Sequence, residues 1–82
     1  MIRMVKVILY TTGGCLYSNM ARDFLKEHKI KFEERRIDLN DKFMEELLKI
    51  VPDDGTPVLV VDGKIYRNFN GEELKKIFKV KG

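Results

Sequence analysis

Apolar residues fall along this chain in alternating rhythms, and the rhythms predict the elements. Met4 to Tyr10 reads Met-Val-Lys-Val-Ile-Leu-Tyr, β-branched and nearly continuous in apolar character, as expected of an inner strand covered on both faces. From Leu16 to about Lys29 the apolar positions are Leu16, Met20, Ala21, Phe24 and Leu25, the spacing of a helix with a charged opposite face. Lys31 to Asp38 holds Phe32 and Ile37 among charged residues and reads as a short edge strand, charged in the way that resists wrong pairing. Asn40 or Asp41 can cap a second helix with an apolar face of Phe43, Met44, Leu47, Leu48 and Val51. Pro52 and Asp53-Asp54-Gly55 end it. Thr56 to Val61 is a second inner strand, joined through the hairpin pair Asp62-Gly63 to a strand from Lys64 to Asn68. Asn70, with Glu73 three residues on, resembles a capping box for a last helix whose inward face is Leu74, Ile77 and Phe78.

This order constrains the architecture. The first strand-helix-strand unit is expected to be parallel, with a right-handed crossover. The closing hairpin is antiparallel. Helices on both faces of a four-stranded mixed sheet would cover every apolar face named above. The two apolar strands, first and third, belong inside and the charged ones at the edges, so the expected sheet order is second, first, third, fourth. No repeat, linker or low-complexity segment interrupts the 82 residues, which read as a single domain spanning 1–82.

Composition removes several function classes. The net charge of +3 is small and its basic residues are dispersed among acidic ones, which gives no footprint for nucleic acid. No apolar stretch approaches the ~20 residues of a membrane span. The first residues begin a strand and carry no signal-peptide core, so a cytoplasmic protein with a reduced thiol is expected. One cysteine and one histidine supply neither an internal disulfide nor a metal cluster. The domain must stand on packing, and a monomer is the expected state.

The chemistry concentrates at Cys15. It follows the first strand and the turn Thr11-Thr12-Gly13-Gly14, and a helical pattern begins directly after it. Free N–H groups at the positive pole of a helix stabilise a thiolate, the reactive form of cysteine. A buried inert thiol has no reason to prefer that position. Ser18 lies one helical turn on, so its hydroxyl can face the sulfur and donate to a thiolate. In the predicted sheet, Thr56-Pro57 opens the strand that pairs with the first one, and Asn70-Gly71 opens the last helix at the same end. A proline there is tolerated because its missing N–H falls at the strand's start. Other conspicuous residues have plainer readings. His28 sits at a helix end where a cation is favoured, Arg35 and Arg36 point to opposite faces of an edge strand, and Met20 and Met44 fit helix core faces.

These residues together resemble the glutaredoxins and related redoxins of the thioredoxin fold. The similarity covers essentially the whole length: the element order, Cys15-Leu16-Tyr17-Ser18, Thr56-Pro57-Val58, and Phe69-Asn70-Gly71-Glu72-Glu73-Leu74. The resemblance implies a βαβαββα domain with Cys15 as nucleophile, Tyr17 flanking the bound partner, a cis bond at Thr56-Pro57, and Thr56 pairing with the substrate backbone. An extended thiol peptide would add there as a short strand. Thr12, Leu16, Asn70 and Gly71 complete the expected substrate contacts. The chain departs from the dithiol family motif Cys-Pro-Tyr-Cys at Leu16 and Ser18, and Thr12 stands where many members have a lysine.

The implied activity is thiol–disulfide exchange and electron transport by a monothiol Cys-x-x-Ser site. That site is either native or a serine variant of a dithiol redoxin. No cofactor is required, and glutathione or another small thiol is the implied co-substrate. The implied partners are a disulfide-containing protein or a glutathione mixed disulfide, with a thioredoxin-type reductase as a further donor. Two other readings remain open. In one, two copies carry a [2Fe–2S] cluster through Cys15 and two external thiols; in the other, the protein is a redox-inert adaptor.

Overall fold

The computed structural model describes residues 6–53, 55–67 and 70–78. Its elements run β1 Val7–Thr11, α1 Leu16–Glu27, β2 Glu33–Arg36, α2 Asp41–Ile50, β3 Val58–Val61, β4 Lys64–Arg67 and α3 Gly71–Phe78. The sheet order is β2-β1-β3-β4, as the polarity of the strands required. β1 pairs parallel with β2 and antiparallel with β3, and β3 pairs antiparallel with β4.

The two inner strands divide their side chains by the period of two that a pleated strand imposes. Val7 and Leu9 of β1, with Leu59 of β3, join Ala21, Leu25 and Leu74 under α1 and α3. Tyr10 of β1 and Val58 of β3 join Ile37, Leu47 and Val51 under α2. Each inner strand thus belongs to two cores, which explains why its sequence shows no polar alternation.

Element ends differ from the expected ones for local reasons. β1 starts at Val7 and extends to Thr11, because its ladder with β2 runs from Ile8 opposite Glu33 to Thr11 opposite Arg36; Met4 and Val5 lie outside the described residues. The same ladder limits β2 to four residues, so Lys31, Phe32, Ile37 and Asp38 flank it. α1 stops at Glu27 because Lys29 turns left-handed, at φ 56°. Lys29 N–H then bonds to Lys26 O and Ile30 N–H to Leu25 O, the two bonds of a Schellman close. Asn40 is the cap of α2, accepting from Lys42 N–H at 2.9 Å. Leu48 lies off the inward face of that helix, 49% exposed. β3 begins at Val58, leaving Thr56 and Pro57 in the loop before it. Asp62 and Gly63 make the hairpin turn with φ of 50° and 86°, both positive as a type I′ turn demands. β4 is described to Arg67, Asn68 lying outside the described residues.

Candidate active site

Chain direction brings the site together. β1 delivers Thr11–Gly14 to one end of the sheet, and β3 starts at that end, with Val58 opposite Tyr10. β4 returns there, with Arg67 opposite Val58, so α3 also begins at that end. No acidic residue occupies the first turn of α1, and the positive pole at Cys15 is left uncompensated. The first turn of α3 carries Glu72 and Glu73, and Asn70 Oδ1 there accepts from Glu73 N–H at 2.9 Å.

Cys15 is the N-cap residue of α1, half-buried and in extended conformation. Its carbonyl accepts from Asn19 N–H at 3.0 Å, starting the helix, while its side chain makes no capping bond. The sulfur is free to face the neighbouring loop, where it lies 3.9 Å from Thr56 O. The Thr56–Pro57 bond is cis. Thr12 and Thr56 join their hydroxyls at 3.0 Å, tying the turn before the cysteine to the loop across from it.

The Cys15 thiol is held below its ordinary range, first by the Ser18 hydroxyl. Burial opposes this, and the Ser18 N–H, the Thr56 side chain and the Tyr17 N–H add to it. Ser18 is fully buried, and its Oγ has no hydrogen-bond partner among the described residues. Ionisation of the sulfur gives that hydroxyl an acceptor. Leu16 and Tyr17, which follow Cys15 directly in the chain, are 76% and 63% exposed. Pro57 is half-buried behind Thr56.

A second set of residues braces the site; the sequence pattern marks only Glu34, Arg36 and Asp38 among them, as charges of an edge strand. Asp38 accepts from Gly13 N–H at 3.0 Å and from both Arg36 Nε and Nη2, at 2.8 and 2.7 Å. The guanidinium pulls the Asp38 carboxyl down to about 2. Thr11, fully buried, donates to Glu34 Oε2 at 2.7 Å, and Arg22 Nε donates to Glu34 Oε1 at 2.9 Å, linking β1, β2 and α1. Arg67 pairs with Asp53, which also accepts from Gly55 N–H at 2.9 Å in the loop leading to Pro57. No pattern in the sequence marks these charges as braces, because only the fold brings their partners near. Arg35, on the other face, pairs with Glu33 and Glu46. Among the described residues, no group of three or more metal-ligating side chains forms. No helix among them is long and apolar enough to cross a membrane.

Comparison with known proteins agrees with this geometry. Residues 7–66 match the family model described as Glutaredoxin. An uncharacterized glutaredoxin-like 8.6 kDa protein in the rubredoxin operon of Clostridium pasteurianum is 29% identical over 76 residues, covering 93% of this chain and 99% of its own. The glutaredoxin-like protein NrdH of Lactococcus lactis subsp. lactis is 30% identical over 71 residues, covering 87% of this chain and 97% of its own. The crystal structure of a glutaredoxin from Archaeoglobus fulgidus has a TM-score of 0.78 at 27% identity, over 94% of this chain and 89% of that one. The four-stranded mixed sheet and its three helices match the thioredoxin-like architecture of these proteins.

Proposed function

The chain belongs to the glutaredoxin family, and on that premise we propose that it is a thiol–disulfide oxidoreductase working through a single nucleophile, Cys15. The observation that carries this reading is the sulfur's position. The sulfur belongs to the N-cap residue of α1, at an uncompensated positive pole, faces the Thr56 carbonyl, and has the buried Ser18 hydroxyl near it.

The reaction has two exchanges. The Cys15 thiolate attacks one sulfur of a disulfide, forms a mixed disulfide with it, and releases the other sulfur as a thiolate. Ser18 carries no thiol and cannot expel the bound half. A second, external thiolate therefore attacks the mixed disulfide, leaves with the substrate sulfur as a new disulfide, and returns Cys15 as thiolate. Glutathionylated proteins and other mixed disulfides suit this route, with a small thiol as co-substrate and no metal or cofactor. Thr56 would hold the substrate backbone, Leu16 and Tyr17 its side chains, and Thr12 would keep Thr56 in place. Asn70 and Gly71, at the same end of the sheet, would meet the far part of the substrate. A reducing compartment such as the cytoplasm fits a single unpaired thiol.

The test compares this chain with Ser18→Cys in the reduction of a mixed disulfide, first with excess small thiol and then with a thioredoxin-type reductase. The proposal expects the two to turn over comparably with the small thiol. Turnover by Ser18→Cys alone would refute the single-cysteine route and make Ser18 the mark of a blocked dithiol site.

A further inference from the structure

Leu16 and Tyr17 are not isolated exposed residues. They open a groove of about 540 Å³ that continues along the outer face of α1 past Met20 and Phe24, and Asp23 and Glu27 stand on its border. Positions 16, 20, 23, 24 and 27 share one helical face, so the groove is a track leading away from the thiol. Leu16, Tyr17 and Met20 make its near part mostly apolar, with Asn19 the polar residue there, and its far part holds Asp23 and Glu27 with Phe24. Neither Asp23 nor Glu27 joins an ion pair among the described residues.

Resting on the thiol-exchange reading above, we infer that this track binds an extended segment of the substrate protein that carries the reactive sulfur, apolar beside its cysteine and basic farther on. Helix geometry sets the spacing. Asp23 and Glu27 lie about 12 and about 18 Å along the axis from Cys15, at ~1.5 Å per residue. An extended chain advances ~3.3 Å per residue. A segment bound at Cys15 therefore brings its fourth residue to Asp23 and its fifth or sixth to Glu27. Lysine or arginine at those positions meets a carboxylate, whereas aspartate or glutamate meets like charge. An apolar residue next to the cysteine covers Leu16 and Tyr17, which are otherwise left to water.

The experiment uses synthetic peptides whose single cysteine is a mixed disulfide with a chromogenic aromatic thiol. The residues four and six positions away, on either side, are both lysine, both glutamate or both serine. Release of the coloured thiolate, with mass confirmation of the Cys15–peptide disulfide, gives the rate for each. At low ionic strength the lysine peptide should react roughly three- to tenfold faster than the glutamate peptide, the range open to two exposed charge pairs. The ratio should fall toward one at ~0.5 M salt. Asp23→Lys with Glu27→Lys should invert the preference, and Asp23→Asn with Glu27→Gln should remove it, which separates a charge effect from damage to the helix. Equal rates for all peptides, or an unchanged preference in the lysine variant, would overturn the inference and leave the exchange reading standing. Failure of every peptide to react would overturn that reading, and the inference with it. A dimer that the lysine variant dissociates would assign the track to a second copy of this chain and also overturn the inference.

Discussion

Ser18→Ala removes a hydroxyl that is fully buried and without a partner among the described residues, and that stabilises the sulfur as thiolate. Its two effects have opposite signs. A hydrogen bond to a charged group contributes ~1.5–3 kcal/mol, and the half-buried sulfur puts this one at the low end. With ~1.4 kcal/mol per pKa unit, the variant should raise the Cys15 pKa by about one unit. The Ser18 and Tyr17 N–H groups and the Thr56 side chain remain and keep it from rising further. Below the folded-state pKa the sulfur is neutral, and an unsatisfied buried hydroxyl costs ~1–3 kcal/mol. Alanine removes that cost at the expense of a very small void, so at pH 5 the variant should be as stable as the parent or up to about 1 kcal/mol more stable. The folded Cys15 pKa is depressed, so its stabilisation is present above the unfolded value and is lost as pH falls through the folded one. The variant's advantage should therefore shrink and reverse as pH rises through the folded pKa toward the unfolded value. Thiolate absorbance and alkylation rate against pH read the first effect; denaturant unfolding under reducing conditions at both ends of the range reads the second. An unchanged pKa would refute the donor role. A loss of about 2 kcal/mol or more at pH 5 would refute the claim that the hydroxyl is unsatisfied in the thiol state.

The remaining predictions concern the frame. Leu59→Ala, at a fully buried position of an inner strand, should cost ~2–5 kcal/mol and lower the melting temperature by roughly 10 °C or more. Asn40→Ala removes the cap that accepts from Lys42 N–H and should cost ~1 kcal/mol in denaturant unfolding. Asp38 ionises at about 2 rather than its ordinary 3.8. Its contribution is present above the ordinary value and lost as pH falls through the folded one. Asp38→Asn should therefore be less stable than the parent at neutral pH, with the gap closing as acid unfolding is followed down to about pH 2.

The legible parts of this protein are those governed by periodicity. Val7 to Tyr10 and Val58 to Val61 show unbroken apolar character because each strand feeds two cores, and that alone placed them inside the sheet. Asp62-Gly63 declared its turn through residues tolerant of positive φ. Cys15 and Ser18 were legible because one helical turn separates them and a strand precedes them. The charged braces were not. Nothing in Glu34, Arg36 or Asp38 tells an exposed edge from a scaffold, because the difference lies in which partner the fold brings near: Thr11 and Arg22 for Glu34, and Gly13 for Asp38. The end of α1 was misplaced for a related reason. Lys29 has no visible bias toward the left-handed region, and the Ile30 N–H to Leu25 carbonyl bond that holds it there forms only once the helix exists. Leu48 fits the apolar spacing of α2 and yet lies off its inward face, half exposed.

Cys15 and Thr56 face each other across 41 positions of sequence. During synthesis at ~5–20 residues per second, that separation is a delay of roughly two to eight seconds. Through that interval the nascent chain carries its thiol without the strand that opposes β1, the loop that faces the sulfur, or the packing that buries Ser18. The donors within α1, the Ser18 hydroxyl and the Ser18 and Tyr17 N–H groups, are already in the chain by then, whereas the Thr56 contribution to the lowered thiol pKa is not. An unfinished copy therefore carries its nucleophile without the loop that faces the sulfur, and the substrate-holding half of the site is the last part to be made.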